Sequence, residues 1–189
     1  MKILNYAKFG PVSRYSEAHV YLVLDMLVSN GVSSRAAISD ELGVGEGSAR
    51  SLIEIMRRWR MVSVSRAGVE ATEDGKRVYR DIPLRLIDFG ELPGKGYLFG
   101  VAVQGIADRF TDGNAQRDLA IRHGAEEACV FALREGNTLR MDAASRWLDA
   151  EDAEKAVAGL KEGDLLVLLL GKDIRSAKAS AASVGIELV

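Results

Sequence analysis

The segment Ser33–Arg80 reads SSRAAISDELGVGEGSARSLIEIMRRWRMVSVSRAGVEATEDGKRVYR. Ser33 or Ser34 is placed to cap a short helix over Arg35–Leu42, with Ala37, Ile38 and Leu42 facing inward. Gly43 stands where the chain must turn with a positive φ, which a residue with a β-carbon adopts only at a cost. A second helical pattern covers Glu46–Arg60. Its Ala49, Leu52, Ile53, Met56 and Trp59 recur every three or four residues, which leaves Ser48, Arg50, Ser51 and Arg57 towards the other side. Val62–Ser65 and Val69–Ala71 alternate as two short strands around Ala67-Gly68, with Arg66 at the tip. Thr72 then caps a further short helix that has Glu73 and Asp74 in its first turn. This is the order of a helix-turn-helix followed by a wing.

The second helix of such a motif has the diameter to enter the major groove of a duplex. Arg50 lies in its early turns and can bond guanine O6 and N7 together. Ser48 and Ser51 flank it. Arg57 can reach a phosphate, or it can pair with Glu54. Arg66 at the wing tip suits a phosphate or the minor groove. Ser34 and Arg35 open the preceding helix, where backbone N–H groups and a cation can hold a phosphate; ordinary N-capping explains the serine equally well. The expected DNA-binding set is therefore Ser34, Arg35, Ser48, Arg50, Ser51, Arg57 and Arg66.

Outward from this segment, Ser16–Asn30 is a strongly apolar helix that ends at Asn30-Gly31. Asp81–Gly96, with Pro83, Gly90, Pro93, Gly94 and Gly96, reads as a linker. The expected division is 1–80, a linker over 81–96, and a second domain over 97–189. In that domain Tyr97–Gln104, Ala128–Leu133, Thr138–Met141 and Asp164–Leu170 read as strands, with a hairpin at Glu135-Gly136-Asn137. Asn114–His123, Ala150–Leu160 and Arg175–Val184 read as helices, and Ile186–Val189 as a last edge strand. The expected architecture is α+β, with the second domain a small α/β sandwich whose helices pack on a mixed sheet.

Of 189 residues, 48% are hydrophobic and 28% charged, the balance of an ordinary globular protein. The net charge of −2 hides an asymmetry. Residues 1–80 hold 12 Lys and Arg against 9 Asp and Glu, a net of +3; residues 81–189 hold 13 against 18, a net of −5. The positive part is the part with the helix-turn-helix. The longest apolar run, Leu165–Leu170, is far too short to span a bilayer, no signal peptide is evident, and Cys129 is the single cysteine, so a cytoplasmic protein is expected.

Ile38-Ser39-Asp40-Glu41-Leu42-Gly43, Gly47-Ser48-Ala49-Arg50, the ribbon and Thr72-Glu73-Asp74-Gly75-Lys76 resemble the winged-helix modules of iron-dependent and multiple-antibiotic-resistance-type repressors. Gln116-Arg117-Asp118, Gly124-Ala125 and Gly163-Asp164 resemble an uncharacterised domain that archaeal proteins carry after such a module. The resemblance implies a regulator and brings no activity for the second domain. Iron-dependent repressors bind metal through His, Cys and carboxylates, and His19, His123 and Cys129 do not support that chemistry here. Arg109, Gln116, Arg117 and Asp118 follow the first strand of the second domain and are the expected lining of a small-molecule site. Gly94-Lys95-Gly96 lacks the spacing of a phosphate-binding loop.

The resulting expectation is a transcriptional regulator with double-stranded DNA as its partner. It would be a homodimer with a possible small-molecule effector, and would have no catalytic residue, cofactor or metal. Two other readings stay open: a winged helix that serves as a protein-interaction module, and a C-terminal enzyme domain with a regulatory winged helix.

Overall fold

The computed structural model of the chain describes residues 15–109, 113–134, 137–140 and 160–189. The helix expected over Ala150–Leu160 (all but Leu160) and the hairpin tip Glu135-Gly136 lie outside them. The chain forms two compact units, Met1–Ile82 and Pro83–Val189. Among the described residues no helix is long and apolar enough to cross a membrane.

In the first unit the order is α1 (Glu17–Asn30), α2 (Arg35–Leu42), α3 (Glu46–Arg58), β1 (Val62–Val64), β2 (Val69–Ala71) and α4 (Glu73–Asp81). The ends are set by the residues that sequence marks. The Ser34 hydroxyl accepts from the Ala37 amide at 3.1 Å and starts α2. Gly43 ends it in the left-handed conformation, φ +62°. The Thr72 hydroxyl accepts from the Gly75 amide at 3.1 Å and starts α4. Strands β1 and β2 pair antiparallel with Val64 opposite Val69. Leu24, Ile38, Leu52, Met56 and Val69 are fully buried and make the core between these elements.

Helix α1 is buried on nearly every side, with Val20, Tyr21, Leu22, Val23 and Leu24 all at 3% exposure or less. Its polar anchor is Asp25, which accepts from the Tyr79 hydroxyl of α4 at 2.8 Å while the Tyr21 and Tyr79 rings stack at 5.3 Å. Burial, with the Asp25 charge beside it, pushes the Tyr79 hydroxyl up to about 12.

The second unit runs β3 (Leu84–Leu92), β4 (Gly96–Val103), a short 3₁₀ turn (Ala107–Arg109), α5 (Asn114–Arg122), β5 (Glu127–Arg134), β6 (Asn137–Arg140), β7 (Leu165–Gly171) and α6 (Ile174–Leu188). The five strands form one sheet in the order β3-β4-β7-β5-β6. Strand β7 is central and buried at every residue, which its run of six apolar side chains requires. Small residues on α6, among them Ala177, Ala181, Ala182 and Gly185, let that helix lie close on one face over Val101. The opposite face carries Phe89, Leu98, Ala102, Cys129, Leu166 and Leu168.

Three expectations are corrected here. The sheet is not mixed: every neighbouring pair is antiparallel. The β4-α5-β5 alternation does put two strands in the same direction, but β7 inserts between them and reverses both neighbour relations. Residues 81–96 are not a linker. Leu84–Leu92 is an edge strand hairpinned to β4, with Gly90 at its register shift. The prolines and glycines that read as a linker mark the start of a strand, a bulge and a turn. Finally, Ile186–Val189 is not a strand, because α6 continues to Leu188.

Two consequences can be measured. A β-carbon on Gly171 would lie 2.6 Å from the Ala177 amide nitrogen on α6. Gly171→Ala should therefore destabilise the chain by roughly 1–3 kcal/mol, seen as a lower thermal midpoint; an unchanged midpoint would show that α6 is not held at that distance. The second concerns His19, whose Nδ1 accepts from the Ser16 amide at 3.0 Å in the first turn of α1. Burial lowers its pKa below the ordinary 6.5, so the neutral ring contributes stability that is fully present above pH 6.5 and lost as pH falls through the folded-state value. A glutamine can accept the same bond without titrating. Acidification from about pH 7.5 to about pH 5.5 should lower the melting temperature of the wild type more than that of His19→Gln; equal losses would remove His19 from the account.

Candidate functional site

Arg35 comes from α2, and Arg50, Ile53, Glu54 and Arg57 from α3; with Val64 of β1 they line a groove of about 580 Å³. The backbone brings them together. Ser33 pairs with Val69 through two hydrogen bonds, each 2.9 Å, and Val69 pairs in turn with Val64. This fixes the start of α2 against the ribbon, and Arg35 follows two residues later. On α3, Arg50, Glu54 and Arg57 are spaced by four and three residues and share one face. Ile53 is buried and Val64 half-buried, so the floor is apolar and the walls are charged.

The four charged groups differ in state. Arg57 forks onto Glu54, with Nε donating to Oε2 at 3.0 Å and a terminal nitrogen donating to Oε1 at 2.8 Å. Arg58 brings its Nε to 3.5 Å from the same carboxylate. These bonds hold the Glu54 carboxyl below the usual carboxylate range and raise the Arg57 pKa in return, both through the Arg57–Glu54 hydrogen bonds first. Arg35 and Arg50 are exposed and form no ion pair among the described residues. The groove thus presents two uncommitted guanidinium groups and one that is held.

The other expected DNA-binding residues fall outside the groove lining. Ser34 spends its hydroxyl on the α2 cap. The Ser51 hydroxyl donates to the Gly47 carbonyl of its own helix at 3.0 Å. Ser48 is half-buried near the start of α3. Arg66 is exposed on the β1–β2 hairpin, whose tip is closed by a 2.8 Å bond from the Ser65 amide to the Gly68 carbonyl.

In the second unit Arg109 ends the 3₁₀ turn, and Gln116, Arg117 and Asp118 lie on the first two turns of α5. Arg109, Arg117 and Asp118 are exposed, and no hydrogen bond or ion pair joins the four among the described residues. Gly163-Asp164 has a structural task instead. Buried Asp164 accepts from the amides of Gly105 (3.1 Å) and Lys161 (2.9 Å), and Gly163 bonds to Ala107 and Leu133, so the loops beside β4 and β5 are pinned together. Among the described residues no group of three His, Cys, Asp or Glu is placed to hold a metal ion. His123 lies 2.8 Å from Glu187, and Cys129 is buried in the sheet.

Sequence reasoning took Glu54 only as a partner for neighbouring arginines and missed that it stands in the groove between Arg50 and Arg57. The signal was there in the spacing of residues 50, 54 and 57. Ile53 as part of the groove floor had no such signal, since its periodicity marks it as core.

Residues 95–188 match the model of a domain of unknown function, DUF4443. The sequence finds no match among curated proteins. Among solved structures the chain is similar to a hypothetical protein from Pyrococcus horikoshii OT3, with a TM-score of 0.74 at 20% identity over 93% of each chain. At that identity the likeness is one of fold. The second unit is thus similar over residues 95–188 to DUF4443, and the chain shares its fold with a protein from an archaeon.

Proposed function

We propose that the first unit is a winged helix that reads double-stranded DNA, with α3 in the major groove and the β1–β2 hairpin as the wing, and that the chain is a transcriptional regulator rather than an enzyme. The observation that carries this reading is the groove that gathers Arg35, Arg50 and Arg57 from two helices over an apolar floor. Arg50 is exposed on α3, one turn after its start, with no ion pair among the described residues, and a helix of this diameter fits the major groove. Arg35 is placed beside it to meet the flanking phosphates. Arg66 is carried on a separate hairpin, where it would meet the backbone or the minor groove. The excess of positive charge in residues 1–80 supports the same assignment.

A single module of this kind covers few base pairs, so the regulator is proposed to act as a homodimer. Helix α1 is already covered within the chain, which favours the second unit as the pairing surface. The same unit is proposed to take a polar small-molecule effector near Arg109, Gln116, Arg117 and Asp118.

The two exposed arginines separate by kind of effect. Arg50→Ala should lose about 1–3 kcal/mol at one base position and relax sequence preference. Arg66→Ala should weaken selected and scrambled duplexes alike and lower the salt slope by roughly one. If both variants bind both duplexes as the wild type does, α3 and the hairpin do not read DNA, and a protein surface becomes the better partner for the arginines.

A further inference from the structure

Glu54 is the one acid among the three arginines of the groove lining. It is not a solvated bystander. Its two oxygens take both hydrogen bonds of the Arg57 fork, and Arg58 stands 3.5 Å away on the same carboxylate. An arginine so engaged has two of its five N–H donors on the carboxylate and its charge paired, so it offers less to a phosphate than a free guanidinium would. The carboxylate also stands one helical turn beyond Arg50 on the same face, which is where a side chain after a guanine-reading arginine would meet the next base edges. A carboxylate at that place can accept from a base amino group.

Resting on the DNA-reading assignment of the groove, we propose that Glu54 is its specificity-determining residue: it withholds Arg57 from non-specific phosphate and gives it up only where a cytosine N4 amino group donates to the carboxylate in its place. On a matched duplex the exchange keeps every charge partnered: Glu54 accepts from the base, and Arg57 turns to the backbone. On an unmatched duplex Arg57 stays on Glu54, and the groove offers Arg35 and Arg50 alone. The acid thus lowers affinity for arbitrary sequence more than for its own site, which is the sense in which a repulsive element creates specificity.

The test compares the full-length wild type with Glu54→Gln, Glu54→Ala and the double variant Glu54→Ala/Arg57→Ala on a selected duplex and its scrambled copy across a salt series. Glu54 is half-buried at the surface and outside the core, so the variants should fold. The expected result for Glu54→Ala is binding to the scrambled duplex tightened by about three- to ten-fold with a salt slope steeper by about one, the contribution of one more neutralised phosphate. Glu54→Gln should change in the same direction by less, since its amide oxygen can still accept from Arg57. The gain should vanish in the double variant. An unchanged affinity and slope on the scrambled duplex for Glu54→Ala, or a gain that survives Arg57→Ala, would overturn the withholding role. If the wild type binds neither duplex, the DNA-reading assignment fails together with the inference; binding by the wild type with no effect of Glu54 sinks the inference alone.

Discussion

Two backbone hydrogen bonds hold the candidate site together. Ser33 and Val69 exchange N–H and C=O at 2.9 Å in each direction, which joins the chain just before α2 to the inner edge of the β1–β2 ribbon. Val69 is fully buried and sits opposite Val64, so the start of α2 is fixed relative to β1. Everything charged in the groove follows from that. Arg35 is two residues from the bridge, Val64 lines the groove, and α3 packs against both α2 and β1 with its arginine face left open. Gly68 belongs to the same constraint: its φ of +140° and its approach to the Ser33 carbonyl leave no room for a side chain.

The charges placed by this frame are unequal, and the inequality gives the groove its character. Three arginines over an apolar floor would be a non-specific anion site. One carboxylate in their midst divides them into two without an ion pair among the described residues and one that is engaged, and on the proposed DNA-reading assignment release of the engaged one changes the number of phosphates the groove can neutralise. The second unit is organised differently. Its buried acid, Asp164, is fully used by backbone amides, and its central strand carries apolar side chains alone. That unit is built for a stable sheet under a close-packed helix, with small residues where α6 crosses the strands.

The sequence was most legible where local rules decide. Ser34, Gly43 and Thr72 mark helix ends by cap chemistry that acts within three or four residues, and all three do so in the structure. The apolar run before Gly171 could only be a buried strand. The order of the sheet was not legible, because β7 pairs with β4 and β5 across long stretches of chain, and nothing local encodes that insertion. Leu84–Leu92 was misread for the converse reason: the flanking Pro83 and Pro93 and its own Gly90 are local signals of a break, overridden by pairing with β4. In the site, Arg35, Arg50 and Arg57 were legible as polar positions on helical faces. That they share one groove required the Ser33–Val69 bridge, which no sequence pattern announced. Ser34 and Ser51 show the limit of reading polar residues as contacts, since the structure engages both hydroxyls in their own helices.

The central claim is that Arg35, Arg50 and Arg57 act as one surface towards a duplex. It is tested most directly by following the arginine side-chain Nε–H resonances of the full chain as a selected duplex is added. The account predicts shifts at Arg35, Arg50 and Arg57 that saturate together, with the Arg57 signal leaving the position set by Glu54, and no shift at Arg109 or Arg117. Shifts confined to the second unit, or none at the groove arginines at any duplex concentration, would contradict it.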